Sequence, residues 1–171
     1  MKRLTLLLSL AAWSAWAAPA AGPTDPQIAA IVVTANQVDI DAGKLAKSKS
    51  KSKQVQDFAQ LMITDHTGVN KAASDLITKL KVTPEPNDIS ESLQKGGDDN
   101  LANLKTLSGA AFDKAYVDHE VAYHEAVVSA MDKTLIPSAQ NAELKALLVK
   151  VHPAFEAHLA HAKDLQATLA K

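Results

Sequence analysis

Apolar residues recur at steps of three and four along four stretches of the chain, the period of a helix that buries one face. The first stretch opens at Thr24-Asp25-Pro26, a cap residue followed by proline at the first helical position. Its stripe is Ile28, Ile31, Ala35, Val38, Ala42 and Leu45. The second carries Val55, Ala59, Met62, His66, Val69, Ala73, Leu76 and Leu80, and Pro84 and Pro86 stop it. The third starts near Ser108-Gly109, carries Val117, Val121, His124, Val128, Met131 and Leu135, and ends at Pro137. The fourth carries Leu144, Leu148, Val151, Phe155, His158, Ala162, Leu165 and Leu169. Steps that alternate between three and four over several turns describe a narrow seam, as in bundles whose helices pack at about 20°. Pro153 falls nearly opposite the fourth seam, so its missing hydrogen bond lies on the wet side and a bend is expected there, not a stop.

The connections differ in length. Between Val82 and Gly109 lies a link with two short helical candidates, 88–95, where Asp88 and Glu91 have capping-box spacing, and 98–107, after Gly96-Gly97. A link that long can run the length of a bundle and set the third helix parallel to the second. The pattern predicts an all-α domain over 24–171, a ferritin-like four-helix bundle with one long crossover between helices two and three. The run KSKSKSK at 47–53 reads as a solvated turn between helices. Its Lys47, Lys49, Lys51 and Lys53 also offer weak contact with an anionic envelope surface, screened at ordinary salt.

Residues 1–20 have the parts of a secretory signal: Lys2 and Arg3, an apolar middle from Leu4 to Trp16, and small residues that place cleavage near Ala17 or Ala20. A retained anchor needs about 20 apolar residues without a break, and this run is shorter. A periplasmic or secreted protein is expected. Cleavage removes both tryptophans and the only arginine and leaves 16 lysines against 19 acids, a net charge near −3. Without arginine there is no bidentate fork for phosphate, so nucleic acid is not an expected partner. With no cysteine, the fold rests on its core and the export route is not that of a lipoprotein. No nucleophile elbow and no phosphate loop appear, and an enzyme is not the favoured expectation.

Three stretches carry a family resemblance: FAQLMITDHTGVN at 58–70, GAAFDKAYVDHEVAYHEAVV at 109–128, and HPAFEAHLAHAKDL at 152–165. From about Asp25 to the C-terminus the chain resembles the bacterial "domain of unknown function 4142" family. The resemblance implies an exported, ferritin-like helical bundle and no agreed biochemical activity. His66, His124 and His158 match the family's histidines. Asp39 stands where the family more usually has glutamate, and the lysine-serine run departs from its usual helical filler.

Helical phase selects the same three histidines independently. His158 points within about 30° of its seam's centre, while His152 and His161 lie roughly 90° to either side. His124 faces inward and His119 nearly opposite; His66 faces inward, and Asp39 sits at the edge of the first seam. One functional expectation is a mononuclear site for a divalent transition metal (zinc, iron or copper) built from some of His66, His124, His158, Asp39 and Glu120. A di-iron centre is not expected, because the chain contains no Glu-x-x-His.

Height argues against three histidines on one metal. Counted from a turn at Pro137, His124 and His158 differ by about 12 Å along the bundle, which makes a Glu120–His158 contact easier. Asp65 is expected to flank His66. The competing expectation is that each inward histidine is a core residue satisfied by Glu120, Asp39, Tyr116 or Tyr123, or that it responds to pH. The leading expectation is therefore an exported non-enzymatic envelope protein, with the metal-binding bundle as alternative. A partner-binding outer face with His119, His152 and the lysine run ranks third.

Overall fold

The computed structural model describes residues 22–170, and the segment read as a leader lies outside the described residues. Every regular element among the described residues is helical: α1 (Asp25–Lys49), α2 (Lys53–Leu80), α3 (Asp88–Thr106), α4 (Gly109–Ala130), a π-turn (Met131–Leu135), α5 (Ile136–Ser138) and α6 (Ala142–Leu169). None of these helices is long and apolar enough to cross a membrane.

α1 starts as its cap residues dictate. The Thr24 hydroxyl accepts the Gln27 N–H at 3.4 Å, and the Gln27 side chain accepts the Thr24 N–H at 3.0 Å, a reciprocal capping box. Its end differs from expectation. The lysine-serine run is mostly helical: α1 continues to Lys49, α2 begins at Lys53, and only residues 50–52 turn. Lys49 is structural, since its ammonium donates to the Leu104 and Lys105 carbonyls at 3.0 and 2.6 Å and so caps the end of α3.

The two short helices expected in the long connection are one continuous helix, α3, and the two glycines lie inside it. Two interior glycines cost about 1 kcal/mol each relative to alanine. Gly97 has a reason to be there. A Cβ on it would stand 2.7 Å from a Val38 methyl carbon, so its lack of side chain lets α3 cross close over α1. Gly109, at φ 58°, makes the tight left-handed entry into α4 that glycine adopts without strain.

Two apolar clusters divide the core. One gathers Ala46, Phe58, Leu104, Tyr116 and Leu165; the other gathers Ile28, Ala73, Met131, Leu144 and Leu148. α2 and α4 both run from the first cluster to the second. α1 and α6 run the opposite way, and so does α3, with Leu93 beside the second cluster and Leu104 in the first. A layer of buried polar side chains lies between the clusters.

The helical stretch ends at Ser138, one residue past the expected stop at Pro137. Proline has no N–H, and its ring presses on the carbonyl four residues back. The helix widens just before it, the Ile136 N–H reaching Met131 O in a π-turn, and coiling continues to Ser138. α6 passes Pro153 without a stop, with the proline exposed on the wet side.

Candidate metal centre

Asp39 from α1, His66 from α2, Glu120 and His124 from α4, and His158 from α6 meet in the polar layer, each at most 3% exposed. All five residues singled out by phase and charge are therefore neighbours. Asp39 is central, not at the edge of its face. The reason is α3: Val38, counted in the first seam, faces Gly97 of α3, so the direction of the bundle interior is set by Asn36 and Asp39.

The expected offset in height between His124 and His158 is absent, and the turn explains why. The His124 and His158 rings are 5.5 Å apart, not about 12 Å along the axis. The chain reverses at 139–141, after α5, and not at Pro137. Counted back from Ala139, His124 is 15 residues away; counted on from Asn141, His158 is 17 residues away, so the two are nearly level. One ligand atom from each of His66, His124 and His158 lies within 4.8 Å of the other two, and the same holds for Asp39, Glu120 and His124. Glu120 thus groups with Asp39 and His124 in place of the expected contact with His158.

Each imidazole is anchored through one nitrogen. Asn36 donates its amide to Val32 O at 2.7 Å, which turns its oxygen towards His66, and His66 Nδ1–H donates to that oxygen at 2.8 Å. His124 Nδ1–H donates to the Glu120 carbonyl at 3.0 Å. His158 Nε2–H donates to the Asp65 carboxylate at 2.9 Å. The nitrogens left over, His66 Nε2, His124 Nε2 and His158 Nδ1, are buried without a hydrogen-bond partner, as are both Asp39 oxygens and Glu120 Oε2. A ligand histidine in a metal site has this wiring, with its far nitrogen held by an amide, carbonyl or carboxylate.

The distances have the scale of a coordination shell. His66 Nε2 stands 3.0 Å and His124 Nε2 3.4 Å from Asp39 Oδ2, neither of them hydrogen-bonded to it. Two ligand atoms about 2.0–2.1 Å from a common cation are about 2.9 Å apart at a right angle and about 3.4 Å apart at the tetrahedral angle.

The charges are uneven. Burial works to raise the Asp39 carboxyl, but His66 foremost, then His124 and His158, hold it below the ordinary range, so it is a carboxylate. Burial, then the Asp39 charge, pushes Glu120 well above the usual carboxylate range and keeps it neutral. Burial lowers His124 to about 4 against the pull of Asp39, and lowers His158 against its bond to Asp65. The donors are imidazole nitrogen and carboxylate oxygen; both described methionines lie in the apolar clusters. That set suits zinc, iron or copper over magnesium or calcium.

Sequence reasoning missed two supporting residues. Asp65, expected to flank His66, serves His158, because adjacent residues on a helix point about 100° apart and Asp65 faces α6. Asn36 was detectable as a polar residue three positions before Asp39. The remaining three histidines stand apart, His119 stacked on the Tyr123 ring, His152 beside Asp132 at 2.9 Å and His161 on the outside against the Phe58 ring.

No curated protein and no solved structure matches this chain. The family described as "Domain of unknown function (DUF4142)" matches residues 11–165, nearly the whole sequence, and the chain belongs to that family.

Proposed function

We propose that this protein is an exported, ferritin-like four-helix bundle that binds one divalent transition metal through His66, His124, His158 and Asp39, with Glu120 beside them as a further oxygen ligand. The observation that carries this reading is the gathering of buried histidines and carboxylates with ligand atoms within 4.8 Å of one another, in a layer closed to water where each of these side chains keeps a nitrogen or oxygen unpaired. A buried polar atom without a partner costs about 1–3 kcal/mol. Histidines kept as plain core residues require a partner on every nitrogen, and the three inward nitrogens have none among the described residues. A cation in their midst satisfies all three and neutralises the buried Asp39 charge.

The bundle part of the proposal is supported by the parallel course of α2 and α4, with α3 as the crossover between them. Export is supported by the charged, apolar and small-residue segments of 1–20.

The test is elemental analysis of protein lacking residues 1–20, purified without chelator and again after reloading with zinc, iron(II) or copper. A stoichiometric metal is expected, lost in His124→Ala and in His158→Ala. At a free metal concentration a hundredfold above Kd, bound metal adds about 2.7 kcal/mol to stability. Protein that stays metal-free after reloading, with a Tm unmoved by metal or chelator, refutes the proposal.

A further inference from the structure

A cavity of about 30 Å³ adjoins the polar layer. The rings of His66 and His124 form part of its wall, and apolar side chains, among them Val127, Met131, Val151 and Phe155, supply most of the remainder. This is more room than the ~10–15 Å³ a single water needs, and far less than the roughly 300–1,000 Å³ of an ordinary organic-ligand pocket.

The wall is dry in its chemistry. A buried water needs two to four polar partners. Asn36 and Tyr123 are committed, the Asn36 amide to Val32 O, its oxygen to His66, and the Tyr123 hydroxyl to Ala35 O at 2.8 Å, which leaves one free nitrogen each on His66 and His124, the pair assigned to the metal. No acidic or basic side chain other than the two imidazoles lines the space, so a charged ligand finds no counter-charge there.

Two further features fit a built compartment. The π-turn supplies Met131 and Leu135 to the wall, and such turns recur at functional sites because they redirect side chains within a continuous helix. Tyr123 is shared between this cavity and an outer groove bordered by Ile89, Gly96 and His119. Its side chain borders both spaces and is steadied by stacking on His119 at 5.7 Å and by the bond to Ala35.

We infer that the cavity admits a neutral diatomic gas of the dioxygen type, which enters past Tyr123 and binds the metal on the side of His66 and His124. This rests on the metal-binding reading and names the ligand class of that site. Size selects a molecule of two or three atoms, the apolar wall selects an uncharged one, and the shared histidine rings put it beside the cation.

Two measurements test it. Metal-free protein is crystallised and pressurised with xenon, an inert apolar probe of dry cavities. One xenon is expected between Val127, Met131 and Val151, lost in Val127→Phe and, if that variant does not fold, in the milder Val127→Leu. Iron(II)-loaded protein is then exposed to nitric oxide under anaerobic conditions. The EPR signal of a high-spin iron–nitrosyl is expected, with affinity weakened by about tenfold or more in the filled variant at unchanged iron content. Tyr123→Ala is expected to speed nitric oxide association. Iron bound with no nitrosyl signal, or a cavity that takes no xenon, overturns the inference and leaves the metal reading standing. Protein that binds no metal overturns both.

Discussion

Replacing His124 with glutamine gives a measurable stability signature in metal-free protein. Burial holds this imidazole at about 4, against an ordinary value of 6.5. The folded value is the lower one, so as pH falls the unfolded chain takes up a proton that the folded chain refuses. The stability associated with neutral His124 is complete above about pH 6.5 and is lost progressively towards pH 4. From about pH 7.5 to about pH 4.5 the unfolded state titrates through two units below its pKa. At about 1.4 kcal/mol per unit the loss is about 2–3 kcal/mol. A domain of this kind has about 5–15 kcal/mol in all. At about 2–4 °C per kcal/mol for a chain of this size, the loss corresponds to roughly 4–12 °C in Tm. Glutamine fills much of the same space and does not titrate. Urea unfolding followed by circular dichroism, with chelator present at both pH values, should therefore show wild type losing about 2–3 kcal/mol more than His124→Gln. His158, lowered in the same direction, and Glu120, raised, are present in both proteins and largely cancel. Parallel losses in the two proteins refute the claim that His124 is held neutral in a closed layer.

Asp65→Asn leaves the metal ligands in place but weakens the acceptor that orients His158, and a fall of about 10–100-fold in metal affinity is expected from competition titration; unchanged affinity means that Asp65 does not support the site. Glu120→Gln removes a carboxyl that stays protonated in the folded state while the unfolded chain ionises, so its stability relative to wild type should grow by about 1.4 kcal/mol per pH unit above about 4.5, until the folded acid ionises. A pH-independent difference in chelator would show that Glu120 is already charged in the fold. The adjacent glycines of α3 should respond oppositely: Gly96→Ala, with nothing near its added carbon, gains up to about 1 kcal/mol, whereas Gly97→Ala meets Val38, and an overpacking cost of about 1–3 kcal/mol outweighs that gain. Thermal unfolding of the pair decides, and shifts of the same sign contradict the close α1–α3 crossing.

Much of this molecule was legible along the chain, because hydrophobic period, caps and helix breakers are local properties. The four long helices, the uninterrupted passage through Pro153 and the inward turn of His66, His124 and His158 follow from phase on single helices. The five residues of the candidate centre were named along the chain, the three histidines by phase and Asp39 and Glu120 by their charge beside the seams. Their common level was not. It depends on where the chain reverses, and a π-turn before Pro137 carries the helix to Ser138 and moves the reversal to 139–141. Asp39 looked peripheral because α1 is judged against one neighbour on a helical wheel, whereas α3 covers a second side and rotates the true interior onto Asn36 and Asp39. Asp65 was assigned to its sequence neighbour, although helix geometry sends it across to α6. Phase belongs to one helix and can be computed from its residues; level and partner belong to pairs of helices, and only their packing decides them.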